Sequence, residues 1–169
     1  MNLELTLYPD KILNRKLAPV KGVDAGLRKL VQDMRETMYV EGGIGLAANQ
    51  VGVDLRVLVV DPYAGSSRSA FLALINPKLL AHFGDTVNME EGCLSFPDIR
   101  ELVTRPDGVE IEFLDEEGLS QKIKATGLLS RVLQHEYDHL EGKTLLDRIS
   151  TLRRLLLVKK LRELRKART

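Results

Sequence analysis

Residues His135-Glu136-Tyr137-Asp138-His139 have the form HExxH. Two histidines four residues apart lie on one side of a helix, a turn from each other, and can share a metal ion, while the glutamate between them supplies a base. A glutamate buried without a partner is costly, and a metal carrying water satisfies it. The chain has three histidines, and the third, His82, lies outside the pattern. The plainer alternative is a pair of core histidines bonded to backbone beside a buried ion pair.

The elements around this pattern must present it inward. The spacing predicts a helix over residues 126–141, in which Leu128, Val132, His135 and His139 fall in one arc at about 100° per residue. Leu129, Leu133, Glu136 and Leu140 widen the arc, Ser130, Gln134, Tyr137 and Glu141 lie opposite, and Gly142 is suited to ending the helix.

A zincin-type site needs a third protein ligand, and Cys93 stands in Glu90-Glu91-Gly92-Cys93-Leu94-Ser95. As the sole cysteine it forms no internal disulfide, so it is either core packing or a functional thiolate. Gly92 beside it permits close backbone approach. Zinc endopeptidases share HExxH but commonly take a downstream ligand. No histidine follows His139, and Glu141 and Asp147 stay open as alternatives to Cys93.

Asp24 is placed to cap a helix in which Leu27, Leu30, Val31, Met34 and Met38 recur at helical spacing, ending before Glu41-Gly42-Gly43. Strands are expected over 56–61, 71–76 (halted by Pro77), 85–89, 102–105, 109–114 and 121–125, with Asp115-Glu116-Glu117-Gly118 as a hairpin turn. Strands in mid-chain with a helix at each end indicate an α+β fold, mixed or antiparallel sheets around a central HExxH helix. At 169 residues one domain is expected.

Net charge is +1, but the C-terminal stretch and the rest of the chain differ in sign. From residue 152 onward eight bases face one acid, giving +7, and the remainder holds 17 bases against 23 acids, giving −6. That stretch, from about residue 150 to 169, reads as a basic helix with Leu152, Leu155, Leu156, Leu161 and Leu164 on one side. The basic end also fits an RNA-binding module with a structural metal, in which Glu136 would be dispensable. The opening residues lack the basic and apolar regions of a signal peptide, and no apolar run approaches membrane-spanning length, so a cytoplasmic protein is expected.

Three segments, Gly43-Ile44-Gly45-Leu46-Ala47-Ala48-Asn49-Gln50, Glu91-Gly92-Cys93-Leu94-Ser95 and Gln134-His135-Glu136-Tyr137-Asp138-His139-Leu140, resemble in order the three motifs of the peptide deformylases. Tyr8-Pro9-Asp10, the length and the basic C-terminal helix extend the resemblance over nearly the whole chain. It implies one metal ion on Cys93, His135 and His139, and removal of the formyl group from N-formylmethionine at the start of nascent chains. Water on the metal would attack the formyl carbon with Glu136 as general acid and base, while the Gln50 side-chain amide and the Leu94 backbone N–H stabilise the formyl oxygen.

By the same resemblance Gly43, Ile44 and Gly45 line the substrate cleft, with the Gly45 backbone pairing with the peptide. Ile44, Leu128 and Val132 are candidates for the methionine pocket, and Arg100 for a contact to the substrate backbone. Fe(II) is implied as the physiological ion, with Zn(II), Ni(II) or Co(II) able to occupy purified protein. The implied partners are formylated nascent chains and the ribosome, the latter through the basic helix; neither membrane nor DNA is expected.

Overall fold

Asp24 starts the first helix as its side chain predicts, accepting a hydrogen bond from the Leu27 N–H (2.8 Å) at the head of α1 (Ala25–Val40). The computed structural model describes the backbone of residues 1–168 and the side chains of residues 1–163. Leu27, Val31, Met34 and Met38 bury one face of α1, which packs on the short strand β1 (Gly45–Ala47) and on β2 (Val57–Val60).

The sheet continues as β3 (Leu72–Cys93), β4 (Phe96–Leu114) and β5 (Ser120–Ala125). All five strands form one antiparallel sheet in the order β1-β2-β3-β4-β5. The fold is α+β.

Pro77 does not halt a strand as expected. The ladder shifts register between Ile75 and Lys78, Asn76 takes a positive φ of 50°, and β3 resumes beyond it. A bulge is where a sheet tolerates a residue with no N–H to donate. Asn76 anchors the bend by exchanging two 2.8 Å hydrogen bonds with the Val20 backbone. The separately expected strands 71–76 and 85–89 are therefore one bent strand, as are 102–105 and 109–114.

The HExxH segment lies on α2 (Gly127–Leu140), which packs against β1, β2 and β4. Its expected polar side is not a solvent face. Ser130 and Gln134 are buried, with Gln134 Nε2 donating to the Pro106 carbonyl (2.9 Å) and to Ser130 Oγ (3.0 Å). Polar side chains with their bonds satisfied are compatible with burial. Gly142 ends the helix at φ 71°, where a Cβ would stand 2.7 Å from the Asn14 carbonyl oxygen.

The last helix, α3 (Thr151–Arg168), docks differently from the expected leucine stripe. Leu157 and Leu161 bury against Phe96, Ile99, Leu145 and Leu146, whereas Leu152, Leu155 and Leu156 are 69%, 64% and 53% exposed. Leucines surround this helix, so which ones dock depends on where the second core lies, and spacing alone does not encode that. The side chains of Leu164, Arg165, Lys166 and Arg168, and all of Thr169, lie outside the described residues. Among the described residues no helix is long and apolar enough to cross a membrane.

Candidate metal centre

One turn of α2 separates His135 from His139, whose rings meet edge to face with centroids 5.2 Å apart. Cys93 arrives from the end of β3, at the tight connection where it pairs with Phe96 of β4. Its Sγ lies 3.3 Å from His139 Nε2. One ligand atom from each of Cys93, His135 and His139 lies within 4.8 Å of the others. Glu141 and Asp147, the alternative third ligands, are engaged elsewhere: Glu141 with Lys16 and Arg56, Asp147 with the Thr144 N–H and Arg154.

The residues fit a divalent cation. Among the described residues, the buried side-chain atoms without a hydrogen-bond partner are Asn49 Oδ1, Glu136 Oε2 and His139 Nδ1; Glu136 Oε2 belongs to this cluster, whereas His139 turns its other nitrogen, Nε2, toward Cys93. Leaving such groups unsatisfied costs about 1–3 kcal/mol each, which marks the place as built for something other than packing. A thiolate with two imidazoles is a donor set that borderline metals accept.

His135 is oriented from behind. Its Nδ1 donates to Glu91 Oε2 (2.9 Å), which orients the ring, so that loss of the second proton to a bound ion would leave Nε2 as the ligand atom. Glu91 also accepts from Arg105 Nε (2.6 Å) and Nη2 (3.1 Å) and from Arg131 Nη1 (3.0 Å). Burial alone would raise the Glu91 carboxyl, but the hydrogen bonds from His135 and Arg105 prevail and hold it far below the usual carboxylate range. Arg105 reaches on to Asp138 Oδ2 (2.7 Å), which also takes Arg148 Nε (2.8 Å). Asp138 is thus an ion-pair residue.

Glu136 is buried at the cleft wall. Burial, and then the charge of Glu91, push its pKa up to about 7 against the pull of His135. His139 goes the other way, to about 3, chiefly through burial and the neighbouring His135 charge. Gly45 makes room for Glu136: a Cβ there would stand 2.5 Å from Glu136 Oε1 and 2.7 Å from Val132 Cγ1.

Gln50 sits in a short 3-10 helix, Ala48–Val51, with its amide direction set by bonds at both ends. Oε1 accepts from the Ala47 N–H (2.8 Å), so Nε2 points toward Cys93 Sγ (3.4 Å) and Ser95 Oγ (3.3 Å). A cleft of about 890 Å³ opens above the cluster. It is lined by Gly43, Ile44, Gly45, Gln50, Cys93, Leu94, Arg100, Leu128, Val132, His135 and Glu136, which brings together every sequence-predicted site residue except His139, fully buried behind it. Arg100 is exposed at the rim, 3.8 Å from Glu90.

The polypeptide deformylase family model matches residues 2–155. A peptide deformylase of Nitrosococcus oceani is 47% identical over 158 residues, covering 94% of this chain and 93% of that protein. One from Rhizobium meliloti is 42% identical over 164 residues, covering 97% and 94%. Among solved structures, peptide deformylase from Ehrlichia chaffeensis superposes with a TM-score of 0.93 at 36% identity, covering 99% and 98% of the two chains.

The chain belongs to the polypeptide deformylase family. Its activity is the metal-dependent hydrolysis that removes the N-formyl group from newly made proteins.

Sequence reasoning missed the support of this deformylase centre: Glu91 was read only as a neighbour of Cys93, and Arg105 and Arg131 were not singled out. Glu91→Gln should lower metal affinity by about 10–100-fold, because the His135 tautomer loses its charged partner. Competition against a chromogenic chelator measures this, and unchanged affinity would show that Glu91 serves packing alone.

Proposed function

We propose that Cys93, His135 and His139 hold the ion, and that Glu136, Gln50 and Leu94 carry out deformylation around it within one catalytic domain spanning the chain. The observation that carries this reading is the convergence of a thiolate, two imidazoles and an unpartnered buried carboxylate at the floor of one cleft. When bound, a divalent ion supplies Lewis acidity toward water and the formyl oxygen.

Glu136 accepts the proton of the attacking water and returns it to the departing amine, leaving formate and a free N-terminus. A buried carboxyl whose Oε2 has no protein partner is free to make both transfers. Gln50 Nε2, already directed toward Cys93, and the Leu94 N–H donate to the oxygen on which negative charge grows. β1 is an edge strand on the cleft, so its free side can pair with an extended peptide through Gly45. Ile44, Leu128 and Val132 offer apolar walls to the methionine side chain, and Arg100 reaches the substrate backbone from the rim.

Gln50→Ala is expected to lower kcat by about 10²–10³-fold while the metal stays bound, since one oxyanion donor is lost. A rate within a factor of a few of the parent would remove Gln50 from the chemistry.

Ferrous iron is the ion we propose for the cell; the mixed sulfur and nitrogen donor set also suits zinc, nickel and cobalt in purified protein. The protein acts in the cytoplasm, where it meets formylated chains at the ribosome. The outward side of α3 supports that contact, with Leu152, Leu155, Lys159 and Arg162 at helical spacing and exposed. Lys159→Glu with Arg162→Glu should weaken ribosome co-sedimentation at least about ten-fold at low salt, and binding should fall as salt rises. Salt-independent binding, or binding unchanged by the pair, would refute the contact.

A further inference from the structure

The cleft continues past the metal centre. Asp98, Ile99 and Arg100 line it and also form one wall of a second groove, of about 660 Å³, whose other wall is the side of α3 bearing Arg153, Leu156 and Lys160. We propose that this groove receives the part of the formylated substrate that follows its third residue, and that it favours apolar and acidic side chains there. The inference rests on the cleft being the deformylation site.

Continuity is the first argument. A peptide paired with β1 and entering through the cleft must leave over its rim, and the rim residues Asp98 to Arg100 are shared with the α3 groove. An extended chain advances about 3.3 Å per residue, so a few residues beyond the third are enough to move from one groove into the next.

Charge and polarity are the second. Leu156 is half exposed, an apolar surface directed at the groove. Arg153 is committed to the buried Glu101, donating from Nε at 3.1 Å. Arg100 lies 3.8 Å from Glu90, and Lys160 is exposed with no ion-pair partner among the described residues. The α3 wall therefore presents the positive charge of Lys160 to the groove, while the acids on the opposite wall, Glu101 and Asp98, are each engaged in interactions of their own. This wall is distinct from the outward stripe of Leu152, Leu155, Lys159 and Arg162, so the two can be altered separately.

The test compares formyl-Met-Ala-Ser with formyl-Met-Ala-Ser-Ala-Leu-Glu-Leu-Glu-Ala and with the same nonapeptide carrying Lys for Glu, using the metal-loaded full chain at low salt. The acidic nonapeptide should show a KM about five-fold below that of the tripeptide at equal kcat, and the basic one a smaller gain. Lys160→Glu should reverse the order of the two nonapeptides while leaving the tripeptide kinetics unchanged. Equal KM for tripeptide and acidic nonapeptide would overturn the proposal, as would an order that Lys160→Glu does not alter. Failure to turn over even the tripeptide would strike the deformylation reading beneath it.

Discussion

Glu136→Gln should lower kcat for formate release by about 10³-fold without releasing the metal. Glutamine keeps the volume and the hydrogen-bonding capacity of the side chain, so the close fit against Gly45 and Val132 survives. What disappears is the ability to accept a proton from water and deliver it to the leaving amine, a contribution typically worth about 10²–10⁴-fold. Because Glu136 Oε2 has no protein partner, the substitution breaks no hydrogen bond at that atom and should not unfold the site. Steady-state kinetics with elemental analysis of the same preparation checks both halves. A rate within about ten-fold of the parent would require another base, and the cleft lining offers none so well placed.

The second large effect is expected from Cys93→Ala. Altering only the partner that orients a ligand typically costs about 10–100-fold in metal affinity, so losing the ligand itself should cost at least about 100-fold. Dialysed Cys93→Ala should carry little metal, show no deformylation, and have a lower Tm than the loaded parent, because an ion that binds only the folded chain stabilises it. Circular dichroism separates loss of metal from loss of fold. Full metal occupancy in the variant would return Glu141 or Asp147 to consideration, against their present engagement with Lys16, Arg56, Thr144 and Arg154.

The α2 end of this site was legible because both signals are local. Helical spacing placed His135 and His139 on one side, and Gly142 marked the helix end within a residue. Gln50 was legible only through the resemblance of its motif, and only the resemblance preferred Cys93 to Glu141 and Asp147, since nothing in residue spacing says that β3 ends beside α2. The support of His135 was hidden for the same reason. Arg105 lies 14 residues from Glu91 and 33 from Asp138, and it reaches both only because β3 and β4 form one bent hairpin beneath the helix.

Two further misreadings have a common origin. Pro77 reads as a strand end, and Ser130 and Gln134 read as the side of α2 opposite its apolar arc, because Pro and Ser/Gln carry those meanings in isolation. Tertiary structure supplied what isolation lacks: a bulge that needs no N–H at Pro77, and a carbonyl at Pro106 for Gln134. The leucines of α3 show the limit from the opposite side, since a helix with apolar residues on several sides does not declare which of them will dock.

The most direct measurement is formate release from formyl-Met-Ala-Ser by anaerobically prepared, Fe(II)-loaded protein, with the peptide product identified by mass. Deformylation at the Cys93, His135 and His139 centre predicts many turnovers per protein, one formate for each free methionine N-terminus, and intact peptide bonds. Folded, metal-loaded protein that released no formate, or that cut the peptide instead, would contradict it.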